Sequence, residues 1–169
     1  MGGLSLVFRV LVSILFGLSF VSPSWSLELK SPHALQGRTI AGEPFALSSL
    51  RGKVVLVVFW STECAVCRDK MPELRANAKG WSASPFELVT VSVDRRLQDV
   101  RDYDQLVLKT TPMAQPAPTL WAGDSAYRDT FGKPVRLPTS YLLDKAGQVV
   151  EKYEGRIPAE AWDRIAELL

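Results

Sequence analysis

The fold is indicated by residues 54–67, which read VVLVVFW, STE and CAVC in succession. The first seven residues of this stretch, Val54 to Trp60, are all apolar, and four of them are valine. An apolar run that is rich in β-branched residues and has no polar face is typical of a strand buried on both sides, as central parallel strands are. The cysteine pair that follows leads into residues rich in helix formers up to Ala78. A buried strand, two cysteines and a helix are therefore consecutive along the chain.

The sequence around this stretch predicts alternating strands and helices. Alternation of this kind implies a parallel arrangement of strands with right-handed crossovers and helices on both faces. A terminal strand, turn and strand adds antiparallel pairing, so we expect an α/β fold with a central mixed sheet and an N-terminal β-hairpin extension. The predicted elements are an edge hairpin within 36–47, a helical turn at 47–50, a strand at 54–60, a helix to 78, a strand at 86–93, a helix at 97–108, an edge strand at 119–122, a helical segment at 125–131, a hairpin of 139–143 and 148–153, and a helix from 158 to 169.

Residues 1–26 have the pattern of a signal peptide. Arg9 precedes twelve uncharged and mainly apolar residues, 10–21, which are too few to span about 30 Å of hydrocarbon comfortably. Ser24 and Ser26 occupy the positions that a signal peptidase requires, which predicts cleavage after Ser26. The alternative is an uncleaved anchor over residues 4–21, in which the Arg9 side chain extends to the interface. Both interpretations place the protein in the periplasm or another extracytoplasmic space.

The composition limits the class of protein. With 47% hydrophobic and 22% charged residues in 169, the chain is close to the average of soluble globular proteins. Its 20 basic and 18 acidic residues are scattered, and they form no run that could follow a phosphate backbone. We therefore expect one domain over residues 36–169, a connecting segment at 27–35, a monomeric state and no nucleic acid partner.

The two cysteines, Cys64 and Cys67, have three ordinary interpretations: half of a zinc site, a structural crosslink or a redox pair. Structural zinc needs four ligands, and His33 is the only histidine of the chain, so a metal is not expected. A crosslink over so short a loop stabilises a fold only weakly. The redox interpretation is therefore favoured, and dithiol chemistry requires no cofactor.

The position of the pair at the predicted start of a helix assigns a role to each sulfur. Unpaired N–H groups and the positive end of the helix dipole favour a thiolate, which is the form that attacks a disulfide. Cys64, at the helix start, is the predicted nucleophile, and Cys67, one turn further in, is the predicted resolving thiol. Arg68 favours the thiolate whereas Glu63 opposes it, so the sequence leaves the direction of the net pKa change open.

Several motifs together resemble the TlpA/ResA-like family of thioredoxin-fold proteins, which are extracytoplasmic thiol-disulfide oxidoreductases. The resemblance implies a thioredoxin-like domain over residues 36–169 and a cis Leu137–Pro138 bond beside the cysteines, where the flanking backbone pairs with a substrate peptide. It also implies that Pro72 lies inside the helix after the cysteines and kinks it. The motifs are residues 47–60, CAVC at 64–67, MPEL at 71–74, residues 89–94 and LPTSYLLD at 137–144.

The same resemblance suggests function and partners. It implies reduction of disulfides in exported proteins, with apocytochrome c as one candidate substrate class and a membrane thiol donor of the DsbD/CcdA type. Two alternatives stay open: disulfide oxidation or isomerisation by the same dithiol, and a non-enzymatic binding module. A peroxidase is disfavoured because the pattern Pro-x-x-x-Thr-x-x-Cys is absent.

The chain departs from the family pattern near the cysteines. It has Glu63 where the family usually has an aromatic residue, and it lacks proline between the cysteines. Val58 occupies the place where many thioredoxins have a buried acid that deprotonates the resolving thiol. Glu63 is a candidate for that proton transfer, and the alternative is that it is a solvated loop residue. We expect Trp60 to pack in the core and to report the redox state, and we expect core packing for the other tryptophans of the domain, Trp81, Trp121 and Trp162.

Overall fold

The computed structural model describes residues 33–111 and 116–169. The predicted signal peptide, its cleavage site and most of the predicted connecting segment lie outside these residues. None of the helices within the two described ranges combines the length and apolar character that crossing a membrane requires. The elements are β1 (Leu35–Arg38), β2 (Pro44–Ala46), a 3-10 helix (Leu47–Leu50), β3 (Val54–Trp60), α1 (Ala65–Gly80), β4 (Phe86–Ser92), α2 (Leu97–Thr110), β5 (Thr119–Trp121), β6 (Arg128–Asp129), β7 (Thr139–Leu143), β8 (Val149–Glu154) and α3 (Glu160–Leu168).

Strand β3 is the centre of a five-stranded mixed sheet with the order β5-β4-β3-β7-β8. It runs parallel to β4 and antiparallel to β7, and every one of its seven residues is buried. Val55, Val57 and Phe59 contribute to the hydrophobic core on one face of the sheet. Val54, Leu56 and Val58 contribute to the core on the other face, and Trp60 belongs to the cluster that contains Cys67. The two cores explain why the sequence of this strand has no polar side, and they confirm the predicted mixed sheet.

A second, smaller sheet forms at the N-terminal side, in the order β2-β1-β6. The predicted hairpin is confirmed, since β1 pairs antiparallel with β2 across a turn in which Gly42 has φ of +92°. A left-handed backbone of this kind favours glycine because a Cβ atom would be strained there.

The predicted helical segment at 125–131 is wrong. Residues Arg128 and Asp129 form strand β6, which pairs with β1. Local hydrogen bonds favour a turn before this strand. The side chain of Asp124 accepts from the backbone N–H of Ala126 at 2.7 Å, and the backbone carbonyl of Asp124 accepts from the backbone N–H of Tyr127 at 3.0 Å. Aspartate competes with helical hydrogen bonding in this way, and the pattern of apolar residues alone did not reveal it.

Two helices bring further groups toward the sheet. Pro72 lies inside α1, as predicted, and removes one backbone donor from that helix. Arg75, also in α1, is fully buried and forms an ion pair with Asp104 of α2. The ring of Trp81 meets that of Trp162, in α3, edge to face at 6.4 Å, and both pack against the core cluster of that face, which confirms core packing for both.

The buried central strand predicts a large stability effect for a single truncation. We expect Leu56→Ala to lower the free energy of unfolding by about 2–5 kcal/mol, because the Leu56 side chain is fully buried and its removal leaves a cavity. Leu106→Ala is the matched control, since Leu106 is 54% exposed on α2, and we expect a change within about 0.5 kcal/mol. Urea unfolding of the oxidised proteins measures both. Equal midpoints for the two variants would contradict this account of the core.

Candidate active site

Cys64 and Cys67 lie where strand β3 gives way to helix α1, and they are joined by a disulfide with Cα atoms 5.2 Å apart. Cys64 is the N-cap residue of α1 and is partly exposed, whereas Cys67 is only 2% exposed. One sulfur is thus accessible and the other is shielded. The structure brings together the two residues that the sequence predicts as nucleophile and resolving thiol.

The first turn of α1 directs a backbone donor at the accessible sulfur. The N–H of Cys67 donates to Sγ of Cys64 at 3.2 Å. No acidic residue lies within this first turn, and the exposed Glu63 directly precedes the N-cap, so only that solvated carboxylate opposes the positive end of the helix dipole. This arrangement favours negative charge on Cys64 when the disulfide is reduced.

The turn that precedes Cys64 is held by the buried carboxylate of Asp94, at the carboxyl end of β4. Oδ1 of Asp94 accepts from Oγ of Ser61 at 3.0 Å and from Oγ1 of Thr62 at 2.6 Å. The backbone N–H of Thr62 is shared between both oxygens at 3.0 and 3.1 Å. Oγ of Ser92 donates to Oδ2 at 2.6 Å. Asp94 therefore fixes the backbone two residues before the candidate nucleophile.

Arg68 and Tyr103 connect the same turn to helix α2. Nη1 of Arg68 donates to the carbonyl oxygen of Thr62 at 2.7 Å, and the hydroxyl of Tyr103 donates to the carbonyl oxygen of Arg68 at 2.8 Å. Burial raises the pKa of Tyr103, although the nearby cations Arg75 and Arg68 oppose the increase. The hydroxyl therefore stays protonated at neutral pH and remains a donor.

The Leu137–Pro138 peptide bond is cis, as the family resemblance implies. Pro138 is buried and lines a small cavity together with Cys67, so it lies beside the cysteine pair. Leu137 is half-buried and packs against the cluster formed by Trp60 and Cys67. The backbone N–H and C=O of Leu137 take part in no hydrogen bond among the described residues. This backbone can therefore pair with an incoming peptide.

Trp60 is fully buried and contacts Cys67, Met71 and Val100 in one cluster. Its ring lies 5.2 Å from the ring of Tyr103. The predicted core packing of Trp60 is confirmed, and its use as a redox reporter stays a prediction.

The surroundings of Cys67 contain hydrocarbon where many thioredoxins have an acid. Val58 lines the small cavity beside Cys67. Lys70 also lines it, and its ammonium group pairs with Glu73 at 2.5 Å. Glu63, the predicted candidate for proton transfer, is exposed, does not line this cavity and has no ion pair or side-chain hydrogen bond within 33–111 and 116–169.

Sequence reasoning missed Asp94 and Lys70 as site residues. Asp94 follows the second buried strand, and the carboxyl ends of neighbouring parallel strands meet at one edge of a sheet, which is a signal for its position. Lys70 follows Cys67 by three residues, which places both on one helix face.

The chain has relatives that are named as thiol-disulfide oxidoreductases or thioredoxin-like proteins. The chain is 28% identical over 116 residues to a thiol-disulfide oxidoreductase ResA of Bacillus cereus, which covers 69% of this chain and 63% of that protein. It is 25% identical over 134 residues to the thioredoxin-like protein YneN of Bacillus subtilis, covering 78% and 74% of the two chains. The ResA match thus spans less than two thirds of that relative.

The fold has solved counterparts. A thiol:disulfide interchange protein of the thioredoxin family from Chlorobium tepidum TLS superposes with a TM-score of 0.61 at 28% identity, covering 80% of this chain and 92% of that one. The thioredoxin-like fold is thereby confirmed. The AhpC/TSA family matches residues 26–163 of this 169-residue chain. Because that match spans most of the chain, the protein belongs to the AhpC/TSA family, and its relatives confirm the resemblance to ResA-like proteins of the thioredoxin fold.

Proposed function

We propose that this protein is an extracytoplasmic thiol-disulfide oxidoreductase that reduces disulfides in exported proteins through Cys64 and Cys67. The observation that supports it most strongly is the accessible sulfur of Cys64 at the N-terminus of α1, bonded to the shielded sulfur of Cys67. A crosslink that served only stability would not need one partly exposed cysteine. The names of the relatives from Bacillus and Chlorobium support the same activity.

The reaction begins with the reduced pair. The thiolate of Cys64 attacks one sulfur of the substrate disulfide, so a bond forms between Cys64 and the substrate, the substrate S–S bond breaks, and the departing thiolate takes a proton from solvent. Cys67 then gives up its thiol proton and attacks the sulfur of Cys64. The Cys64–Cys67 disulfide forms and the second substrate thiolate leaves and is protonated. Two electrons and two protons have passed to the substrate.

Surrounding groups support each step. The unpaired backbone of Leu137, next to Pro138, holds the substrate peptide across the cysteine pair. Because Val58 offers no proton acceptor, the proton of Cys67 passes to water, and Glu63 is the candidate carboxylate that receives it from there. The indole of Trp60 contacts Cys67, and we propose that its fluorescence changes with the redox state.

The partners follow from the location outside the cytoplasm. Residues 1–26 act as a signal peptide, or residues 4–21 as an anchor, and the domain over 36–169 works as a monomer without cofactor or metal. Oxidised Cys64–Cys67 is reduced again by a membrane thiol donor of the DsbD/CcdA type. Apocytochrome c is one candidate among the exported substrates.

Two other functions use the same fold. A disulfide oxidant would have a reduction potential of about −120 mV, whereas a reductant would have one of about −270 mV, so equilibration with glutathione separates the two directions. Ala65-Val66 between the cysteines affects this potential. A non-enzymatic binding module would leave insulin disulfides intact.

The assigned roles predict different behaviour for two matched serine variants. With dithiothreitol as donor, we expect the wild-type protein to accelerate insulin reduction and Cys64→Ser to abolish the acceleration. We expect Cys67→Ser to accumulate a mixed disulfide at Cys64, because the resolving thiol is missing. Mass spectrometry of trapped complexes measures this. Activity retained in Cys64→Ser, or complexes trapped through Cys67 in that variant, would overturn the assignment.

The hydrogen bonds of Asp94 predict a positioning role. Asp94→Asn removes the negative charge from a group that accepts hydrogen bonds from Ser61, Thr62 and Ser92. A hydrogen bond to a charged group contributes about 1.5–3 kcal/mol to stability. We expect a loss of this size in the free energy of unfolding and about a tenfold lower kcat/KM for insulin, since a factor of ten corresponds to about 1.4 kcal/mol. Urea unfolding and the insulin assay measure the two effects.

The control for this experiment is Asp102→Asn. Asp102 is exposed on α2 and accepts only from Gln98 of the same helix, so we expect little change in either measurement. Wild-type activity and stability in Asp94→Asn would show that its carboxylate does not hold the turn before Cys64.

A further inference from the structure

A cleft of about 410 Å³ opens at the carboxyl ends of β3, β4 and β5, the edge of the sheet at which the turn to the cysteine pair begins. Asp94 and Trp121 belong both to its wall and to the surroundings of the active site. The carboxylate of Asp94 holds the turn before Cys64, and Trp121 packs against the cluster that contains Cys67. The cleft and the disulfide are therefore neighbours on one edge of the sheet.

The walls of this cleft are aromatic and held in place. Nε1 of Trp121 donates to the carbonyl oxygen of Asp94 at 2.7 Å. The indole also lies directly against Gly123, because a Cβ atom on that glycine would be 2.3 Å from the ring. Phe59 is 1% exposed and meets the ring of Phe131 edge to face at 5.8 Å. Fixed aromatic walls lose little conformational entropy when an apolar group binds.

The two most exposed charges that line the cleft are positive. Arg95 and Lys133 line it, are exposed, and form no ion pair or side-chain hydrogen bond with any residue that the structure describes. The cleft also contains two acids, but both accept hydrogen bonds from the protein itself. Asp94 is buried and accepts from the turn before Cys64, and Asp129 accepts from the backbone N–H of Gly132 at 2.9 Å. A partner would therefore meet the two cations first.

The loop from Gly132 leads from the cleft to the active site. Lys133 begins it, the side chain of Val135 is fully exposed, and the unpaired backbone of Leu137 ends it beside Pro138. An extended peptide advances about 3.3–3.6 Å per residue. If a peptide lay along this loop, its backbone would pair with Leu137 at one end of the loop. Side chains of neighbouring peptide residues would then reach the cleft at the other end.

We propose that the cleft binds the segment next to the reactive disulfide of a partner protein, and that it selects segments in which an aromatic or large apolar side chain is adjacent to Asp or Glu. The apolar side chain packs against Trp121, and the carboxylate meets Arg95 and Lys133. A volume of about 410 Å³ is in the range of ordinary ligand sites. This inference rests on the proposed function, because it names the class of substrate for that same site.

Charge reversal at the cleft tests the proposal. The full chain is reduced and mixed in single turnovers with three disulfide-linked peptides of equal length, in which the cysteine is flanked by Phe-Asp, Phe-Lys or Ser-Asp. The double variant Arg95→Glu/Lys133→Glu is compared with Lys79→Glu/Lys109→Glu, which makes the same change in net charge. Lys79 and Lys109 are exposed in the last turns of α1 and α2, away from the helix ends that carry the site.

We expect the wild-type protein to react about tenfold faster with the Phe-Asp peptide than with the Phe-Lys peptide at low salt, and the difference to shrink at high salt. We expect the Ser-Asp peptide to react at least about threefold more slowly than the Phe-Asp peptide. The cleft variant should reverse the charge preference, and the control variant should keep it.

Reaction with hydroxyethyl disulfide, which is small and uncharged, separates failure of this inference from failure of the proposed function. Failure of the wild-type protein to reduce it would remove the proposed function. Normal reduction of it, together with equal rates for all three peptides, would overturn the cleft proposal alone. A loss of charge preference that is the same in the control variant would also overturn it, since net charge would then be the cause.

Discussion

The carboxylate of Asp94 is the group on which the arrangement of the active site depends. Four donor atoms from Ser61, Thr62 and Ser92 converge on it, and it is only 7% exposed. It joins the carboxyl end of β4 to the turn that follows β3, so two parallel strands that are in register determine where α1 begins. A buried charge is costly unless it is fully hydrogen-bonded. If the turn moved away, the buried carboxylate of Asp94 would lose the hydrogen bonds that Ser61 and Thr62 donate to it.

Once the turn is fixed, the chemistry follows from the start of a helix. The N–H of Cys67 points at the sulfur of Cys64, and Cys67 itself is buried in the neighbourhood of Trp60 and Pro138. The start of α1 thus favours charge on the sulfur of Cys64, whereas Cys67 is shielded. Val58 distinguishes this site from thioredoxins that carry a buried acid there. Among the residues that line the cavity beside Cys67, none carries a carboxylate that could accept its proton directly.

The sequence was sufficient to predict those elements in which the pattern of apolar residues directly reflects burial. Strand β3 was recognisable because cores lie on both of its faces, and the cysteine pair because it follows that strand. The error at 125–131 arose where side-chain hydrogen bonds of Asp124 decide the backbone, which a hydrophobic pattern does not encode. Asp94, Lys70 and the aromatic cleft were missed because they become neighbours only when strands align. The spacing between the two cysteines does not indicate which distant carboxylate holds the turn that precedes them.

The central claim is that the fold makes Cys64 reactive and keeps Cys67 protected. The most direct measurement is alkylation of the fully reduced protein by iodoacetamide at neutral pH, with the label at each cysteine followed by peptide mass spectrometry. The account predicts that Cys64 is labelled more than about tenfold faster than Cys67, since it is more exposed and lies at the start of the helix. Equal rates, or faster labelling of Cys67, would contradict it.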